Sequence, residues 1–216
     1  YTLSLHDALP ILRRALDDAG QYFSRTDNLG PWGAVPGENN TTNQLTCRQS
    51  FSILMTDGYW TNDTASQAST AQARANLDGA NGTTITGPAL TPGGPVQSYT
   101  YNAATPFTDA HSNTLADVAM YYWSRDLRPD LENRVPASGF NPAFWQHMVT
   151  YGVGLGVTGS VNPNTAFAAI TTSPPPTITW PDPAASNPAK IDDLLHAAVN
   201  SRGGFFSASD PNTFAS

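Results

Sequence analysis

The stretch SFSILMTDG, residues 50–58, constrains the fold more than any other part of this chain. Phe51, Ile53, Leu54 and Met55 form a near-continuous apolar run that stops on Thr56, Asp57 and Gly58. Such a run predicts a strand buried on both faces of a parallel sheet, and the rest of the chain must then supply its cover. An acid just past the C-terminal end of a parallel strand stands where open α/β sheets place their ligands. A carboxylate there, beside Thr56 and Gly58, suits a hard cation such as Mg²⁺ or Ca²⁺, which takes oxygen ligands. It equally suits an Asx turn in which Asp57 bonds its own backbone. The residues alone leave both readings open.

The surrounding periodicities agree with an α/β layered fold. LRRALDDAGQYF places Leu12, Ala15, Leu16, Ala19 and Phe23 at helical spacing, and a Gly, Pro and Asn loop follows it. HSNTLADVAMYYW offers Ser112, Asn113 and Thr114 as cap candidates before an apolar face of Leu115, Val118, Ala119 and Tyr122. MVTYGVGLGV reads as a second strand and TAFAAI as a short helix. AKIDDLLHAAVN is a further amphipathic helix with Gly203 as its stop, and FFSAS is a last short strand. Helix and strand alternate in order, which points to a mostly parallel sheet. Residues 59–109 lack a sustained period and read as a polar insertion, apart from a short helix predicted at ASQASTAQARANL, residues 65–77.

Composition narrows the function classes. At 216 residues the chain suits one domain with an insertion. Only 12% of residues are charged, Lys190 is the single lysine and the net charge is −7, so binding nucleic acid by phosphate neutralisation is excluded as a leading reading. The polar, lysine-poor, loop-rich character fits an exported protein. No run approaches the roughly 18 apolar residues of a membrane span.

Few residues form a chemical motif. His111, His147 and His196 lack the spacing and the accompanying Glu of a zincin, and they read as structural. Asp192 and His196 stand four apart on one helix and form a candidate ion pair. GVGLG lacks the full phosphate-loop pattern and reads as a strand end. Tyr121, Tyr122, Trp123, Phe144 and Trp145 read as core. Cys47 cannot form an internal disulfide as the only cysteine; it is a buried thiol, a metal ligand without companions, or half of a bridge to another cysteine. A secreted metal-dependent hydrolase using Asp57 with a histidine such as His111 is the enzymatic alternative.

ILMTDG resembles the fourth-strand motif of von Willebrand factor A domains, and MVTYGVGLG resembles the strand after it. More narrowly, CRQSFSILMTDGYW, TLADVAMYYWSRDLRPDL, FWQHMVTYGVGLGV and IDDLLHAAVNSRGGFFSASDP together resemble the N-terminal region of PilY-type type IV pilus tip proteins. The resemblance covers most of residues 12–216 and implies a three-layer, Rossmann-like von Willebrand A fold with the insertion at about 59–109. It implies a non-enzymatic role in pilus assembly and adhesion at the cell surface, outer membrane or pilus tip, with pilus components and a surface ligand as partners. Another alternative is an adhesion domain of the same fold with no link to pili. The resemblance also implies a metal-ion-dependent adhesion site for Mg²⁺ or Ca²⁺ in which Asp57 is one ligand. The Asp-x-Ser-x-Ser turn and the Thr that complete such a site would lie upstream, so the site is incomplete here. In the oxidising compartment of an exported protein, Cys47 is expected to pair with an upstream cysteine or with a cysteine of another molecule.

The first eleven residues, YTLSLHDALPI, match the conceptual translation of a common sequencing adapter at every position. Native sequence is therefore expected to begin near Leu12, and both ends read as truncations. Without the preceding strand, the sheet is expected to expose edges and apolar surface, and the chain to be poorly soluble.

Overall fold

A computed structural model of the chain describes residues 11–27, 29–35, 44–59 and 75–208. Among the described residues, nine elements follow in order: α1 (Ile11–Phe23), β1 (Phe51–Thr56), β2 (Ile85–Ala89), β3 (Val96–Tyr99), α2 (Leu115–Trp123), β4 (Val149–Leu155), α3 (Pro163–Ala168), α4 (Asn187–Asn200) and β5 (Phe205–Ala208). β1, β4 and β5 form a parallel sheet in that spatial order, with Phe51 opposite Val149 and Gly152 opposite Phe205. β2 and β3 form a separate antiparallel pair. The chain is thus an α/β fold whose main sheet is parallel, as the alternation of periods predicts. The short hairpin inside the insertion was not legible, because Ile85–Ala89 contains Gly87 and Pro88 and lacks alternation. The helix predicted at 65–77 lies largely outside the described residues, as do the adapter-like residues 1–10.

The helices pack on one side of the sheet. Leu16 of α1, Leu115 and Val118 of α2, and Ile191 and Leu194 of α4 share one core cluster with Leu54. At Gly152 of β4 a Cβ would come within 2.9 Å of the Leu194 side chain, so the absent side chain lets α4 lie close on the sheet.

On the other face, Ile53 is 70% exposed, and Phe51, Met55 and Phe206 are also exposed. This corrects the expectation of a strand buried on both faces. β1 is an edge strand, and no described element covers that side. Among the described residues, the expected three layers are two.

Two helix ends carry most of the local design. Thr114 and Asp117 form a capping box at the start of α2. The Asp193 carboxylate of α4 also accepts the next two free N–H groups, from Leu115 at 2.9 Å and Ala116 at 3.0 Å. At the end of α4, Arg202 takes the left-handed conformation with φ 59°. Its N–H donates to Val199 and that of Gly203 donates to Ala198, closing a Schellman turn. The stop is therefore Arg202, not Gly203. Gly203 is required for another reason: a Cβ there would collide with the Thr150 carbonyl of β4.

The predicted core aromatics hold that role. Trp123, Phe144 and Trp145 join Tyr101 and Met120 in a second cluster, Tyr122 enters the first, and Tyr121 packs at its margin. The Arg202 guanidinium lies over Phe107 at 3.6 Å and Trp123 at 3.7 Å, giving a buried cation an aromatic enclosure. That enclosure ties the residues before α2 to the end of α4, next to the polar cluster described below.

Candidate functional site

Asp57 stands exposed just beyond β1, as the sequence places it. The turn there is made by its neighbour: the Thr56 hydroxyl donates to the Gly58 carbonyl at 2.8 Å and accepts the Gly58 N–H at 3.3 Å. Asp57 enters no group of three or more His, Cys, Asp and Glu side chains close enough to share an ion among the described residues, and neither does His111. The two do not converge with a third ligand, which the hydrolase alternative requires. Cys47 is exposed, so the buried-thiol reading does not hold.

The polar residues that do converge are Asp78, Asp109 and His196, whose candidate ligand atoms all lie within 4.8 Å of one another. By position and chemistry this buried triad could hold a metal ion. His196 projects from α4, while Asp78 and Asp109 come from the two flanks of the β2–β3 hairpin. His196 Nε2 is 2.8 Å from the Phe107 carbonyl and 3.6 Å from Asp78 Oδ2, and Nδ1 is 3.4 Å from Asp109 Oδ2. Trp180 stacks on the imidazole at 4.0 Å with the rings 10° from parallel, and its Nε1 donates to the Pro106 carbonyl at 2.8 Å. The ring is held from its face and its edge.

The carboxylates are held as well. Asp78 accepts from the Asp109 N–H at 3.2 Å and from Asn200 Nδ2 at 2.9 Å, and Asp109 accepts from the His111 N–H at 2.7 Å. The backbone before Asp78 is fixed by Asp117, which accepts the Leu77 N–H at 2.6 Å, and the Asp78 carbonyl accepts from the Tyr101 hydroxyl at 2.6 Å. All three side chains of the triad are at most 4% exposed.

Electrostatics follow from this burial. Desolvation pushes the Asp78 carboxyl up to about 7; the His196 charge opposes this, and the Asp117 and Asp109 carboxylates add to it. Desolvation also raises Asp117 against the hydrogen bonds from Thr114 and Leu77, and raises Asp193 to about 7 against those from Leu115 and Ala116. For His196, desolvation works to lower the imidazole, but the Asp109 bond and the Asp78 and Asp109 charges outweigh it and leave it raised. The two carboxylates therefore favour a positive charge on the imidazole.

Sequence reasoning missed this cluster for two reasons. Asp78 and Asp109 are 31 residues apart within a stretch that has no period, so nothing local joins them. His196 was set against Asp192, but Asp192 turns away and accepts from Ser160 N, Ser160 Oγ and Val161 N. One signal was present: Asp193, His196 and Asn200 recur at helical spacing on α4 and are all buried, a polar stripe within an apolar helix. His147 is likewise buried and structural, held between the Trp145 carbonyl and the Asn141 amide.

Among the described residues, no helix is long and apolar enough to cross a membrane. No protein-family model matches the chain, and no solved structure matches it. Three curated proteins do, each named Type IV pilus biogenesis factor PilY1 and each from Pseudomonas aeruginosa. That of strain PAK is 36% identical over 223 residues, which cover 93% of this chain and 18% of the relative. The relative from strain PAO1 is 34% identical over 97% of this chain, and that from strain UCBPP-PA14 is 33% identical over 94%. The chain spans less than one fifth of the length of these relatives. Identity of 33–36% over more than nine tenths of the chain places it in the PilY family of type IV pilus proteins.

Proposed function

We propose that this chain is a non-enzymatic module of an exported type IV pilus biogenesis factor, displayed at the cell surface or pilus tip and contributing to adhesion. The observation that carries this reading is the 36% identity to a named pilus biogenesis factor across 93% of the chain. The acidic, lysine-poor composition and the α/β platform are in keeping with a docking role. Its partners would be pilus components and a host or abiotic surface ligand. The experiment is a segment exchange: this sequence replaces the matching stretch of a Pseudomonas relative, and surface pili are counted by electron microscopy. Piliation near the parental level is expected, and a bald phenotype despite normal amounts of the exchanged protein would count against the reading.

Asp57 fits this proposal as one ligand of a Mg²⁺ or Ca²⁺ site in the longer protein, completed by residues upstream. Calorimetry on that longer protein tests it. Cation binding should be lost in Asp57→Ala, and binding that is absent or indifferent to this change removes Asp57 from the site. Cys47, exposed just before β1, is the proposed partner of an upstream cysteine. Mass spectrometry of the exported protein would show the cross-linked peptide, and a free Cys47 thiol there would refute the pairing.

A further inference from the structure

We propose that Asp78, Asp109 and His196 form a second divalent-cation site, of the Zn²⁺ type, which clasps the two flanks of the β2–β3 hairpin to α4. This site is separate from Asp57 and stands whether or not the adhesion reading does. The argument begins with the imidazole. A backbone carbonyl only accepts, so the 2.8 Å contact with Phe107 places a proton on Nε2 of His196. Nδ1 faces Asp109 Oδ2 at 3.4 Å, and a metal ion would bind there by taking the place of the Nδ1 proton that the carboxylates favour. This is the outer-shell arrangement that orients metal-binding histidines: one ring nitrogen donates to a carbonyl, and the other faces the ion.

The carboxylates are prepared in the same way. Asp109 Oδ1 is occupied by the His111 N–H and Asp78 Oδ1 by the Asp109 N–H; Asp109 Oδ2 is left beside Nδ1 at 3.4 Å, while Asp78 Oδ2, which also accepts from Asn200 Nδ2, lies 3.6 Å from Nε2 and within 4.8 Å of the other ligand atoms. The 3.4 Å separation of His196 Nδ1 and Asp109 Oδ2 is longer than the roughly 2.7–3.2 Å of an ordinary N–H···O bond. It is close to the spacing of two ligands that share a Zn²⁺ ion at about 2.0–2.2 Å each.

An independent observation lies beside them. Asn200 is fully buried, and its Nδ2 donates to Asp78 Oδ2, yet its Oδ1 has no partner. An orphaned buried oxygen at this place calls for a bound water or ion. A water on the metal's fourth position would satisfy it.

Charge points the same way. Asp78, Asp109, Asp117 and Asp193 lie within interacting range of His196 or of one another, and all are buried. Arg202, the nearby buried cation, is turned to the Phe107 and Trp123 rings and the Asn200 carbonyl. One imidazole nitrogen and two carboxylate oxygens make a donor set suited to Zn²⁺ and too poor in oxygen for Ca²⁺, which takes about six to eight.

The test uses the chain after treatment with a chelator and dialysis. Isothermal titration should show one equivalent of Zn²⁺ bound at micromolar affinity or tighter, with Ca²⁺ at least 100-fold weaker. Co²⁺ used as a spectroscopic probe should give visible absorption at one equivalent that Zn²⁺ displaces. Asp109→Asn should weaken Zn²⁺ at least tenfold, while Cys47→Ser should leave it unchanged. Absence of stoichiometric Zn²⁺ binding to the parent chain overturns the proposal even if the Asp109 variant fails to fold. Binding lost in Cys47→Ser but kept in Asp109→Asn overturns it as well, and would assign the ion to an adventitious surface site.

Discussion

His147 should make the fold acid-sensitive, and the structure sets the size of the effect. Its Nδ1–H donates to the Trp145 carbonyl at 2.7 Å, and its Nε2 accepts from Asn141 Nδ2 at 2.9 Å. The Asn141 amide cannot turn over to accommodate a second proton, because its Oδ1 already accepts from Trp123 Nε1 and the Ala143 N–H. Protonating Nε2 would therefore set two donors against each other in a buried site. Desolvation, with a smaller contribution from the Arg202 charge, outweighs the Trp145 bond and lowers His147 from 6.5 to about 4. The unfolded chain binds this proton below about 6.5 and the folded chain only below about 4. Stability must accordingly fall as pH drops through that window, and level off beneath it. The gap is worth about 3 kcal/mol in all. Urea unfolding of the parent chain and of His147→Gln, followed at pH 7.5 and pH 4.5, isolates this contribution from carboxylates that titrate in both. The parent should lose about 2–3 kcal/mol more than the variant on acidification. An equal loss in the two proteins, or an imidazole that titrates near 6.5 by NMR in the folded chain, would refute the reasoning.

Other outcomes follow from single contacts. Asp193→Ala strips the acceptor from two backbone donors at the start of α2 and should cost about 1–3 kcal/mol, read by urea midpoint. Gly203→Ala forces the Schellman turn away from the Thr150 carbonyl and should cost about 2 kcal/mol or more, whereas Arg125→Ala on the surface should cost well under that. Ile53→Thr removes apolar surface from the open face of β1 and should reduce self-association in sedimentation experiments with little change in urea midpoint. An unchanged sedimentation profile would show that this face does not drive association.

The periodic parts of the fold were legible because local rules fix them. The apolar run at Phe51–Met55, the helical stripe before Phe23 and the cap at Thr114 each need only a few neighbouring residues to state their preference, and each element lies where those residues put it. Parallel order followed from alternation alone. The same logic placed Asp57 at a strand tip and the aromatics in the core. It failed at Phe51, Ile53 and Met55, since a buried strand and an edge strand with one open face share the same letters, and only the neighbours decide between them.

The sequence by itself determined the element types, their order and the acid at the end of β1, because these depend on side-chain spacing and backbone preference. Tertiary structure alone decided that Asp78, Asp109 and His196 would meet, that Asp193 would cap a helix 78 residues away, and that Asp192 would bond Ser160 instead of His196. Those pairings arise from which surfaces of α2, α4 and the insertion can be buried together. Once desolvated there, each carboxylate must find a partner, and which partner it finds depends on distances in space that residue numbers do not encode.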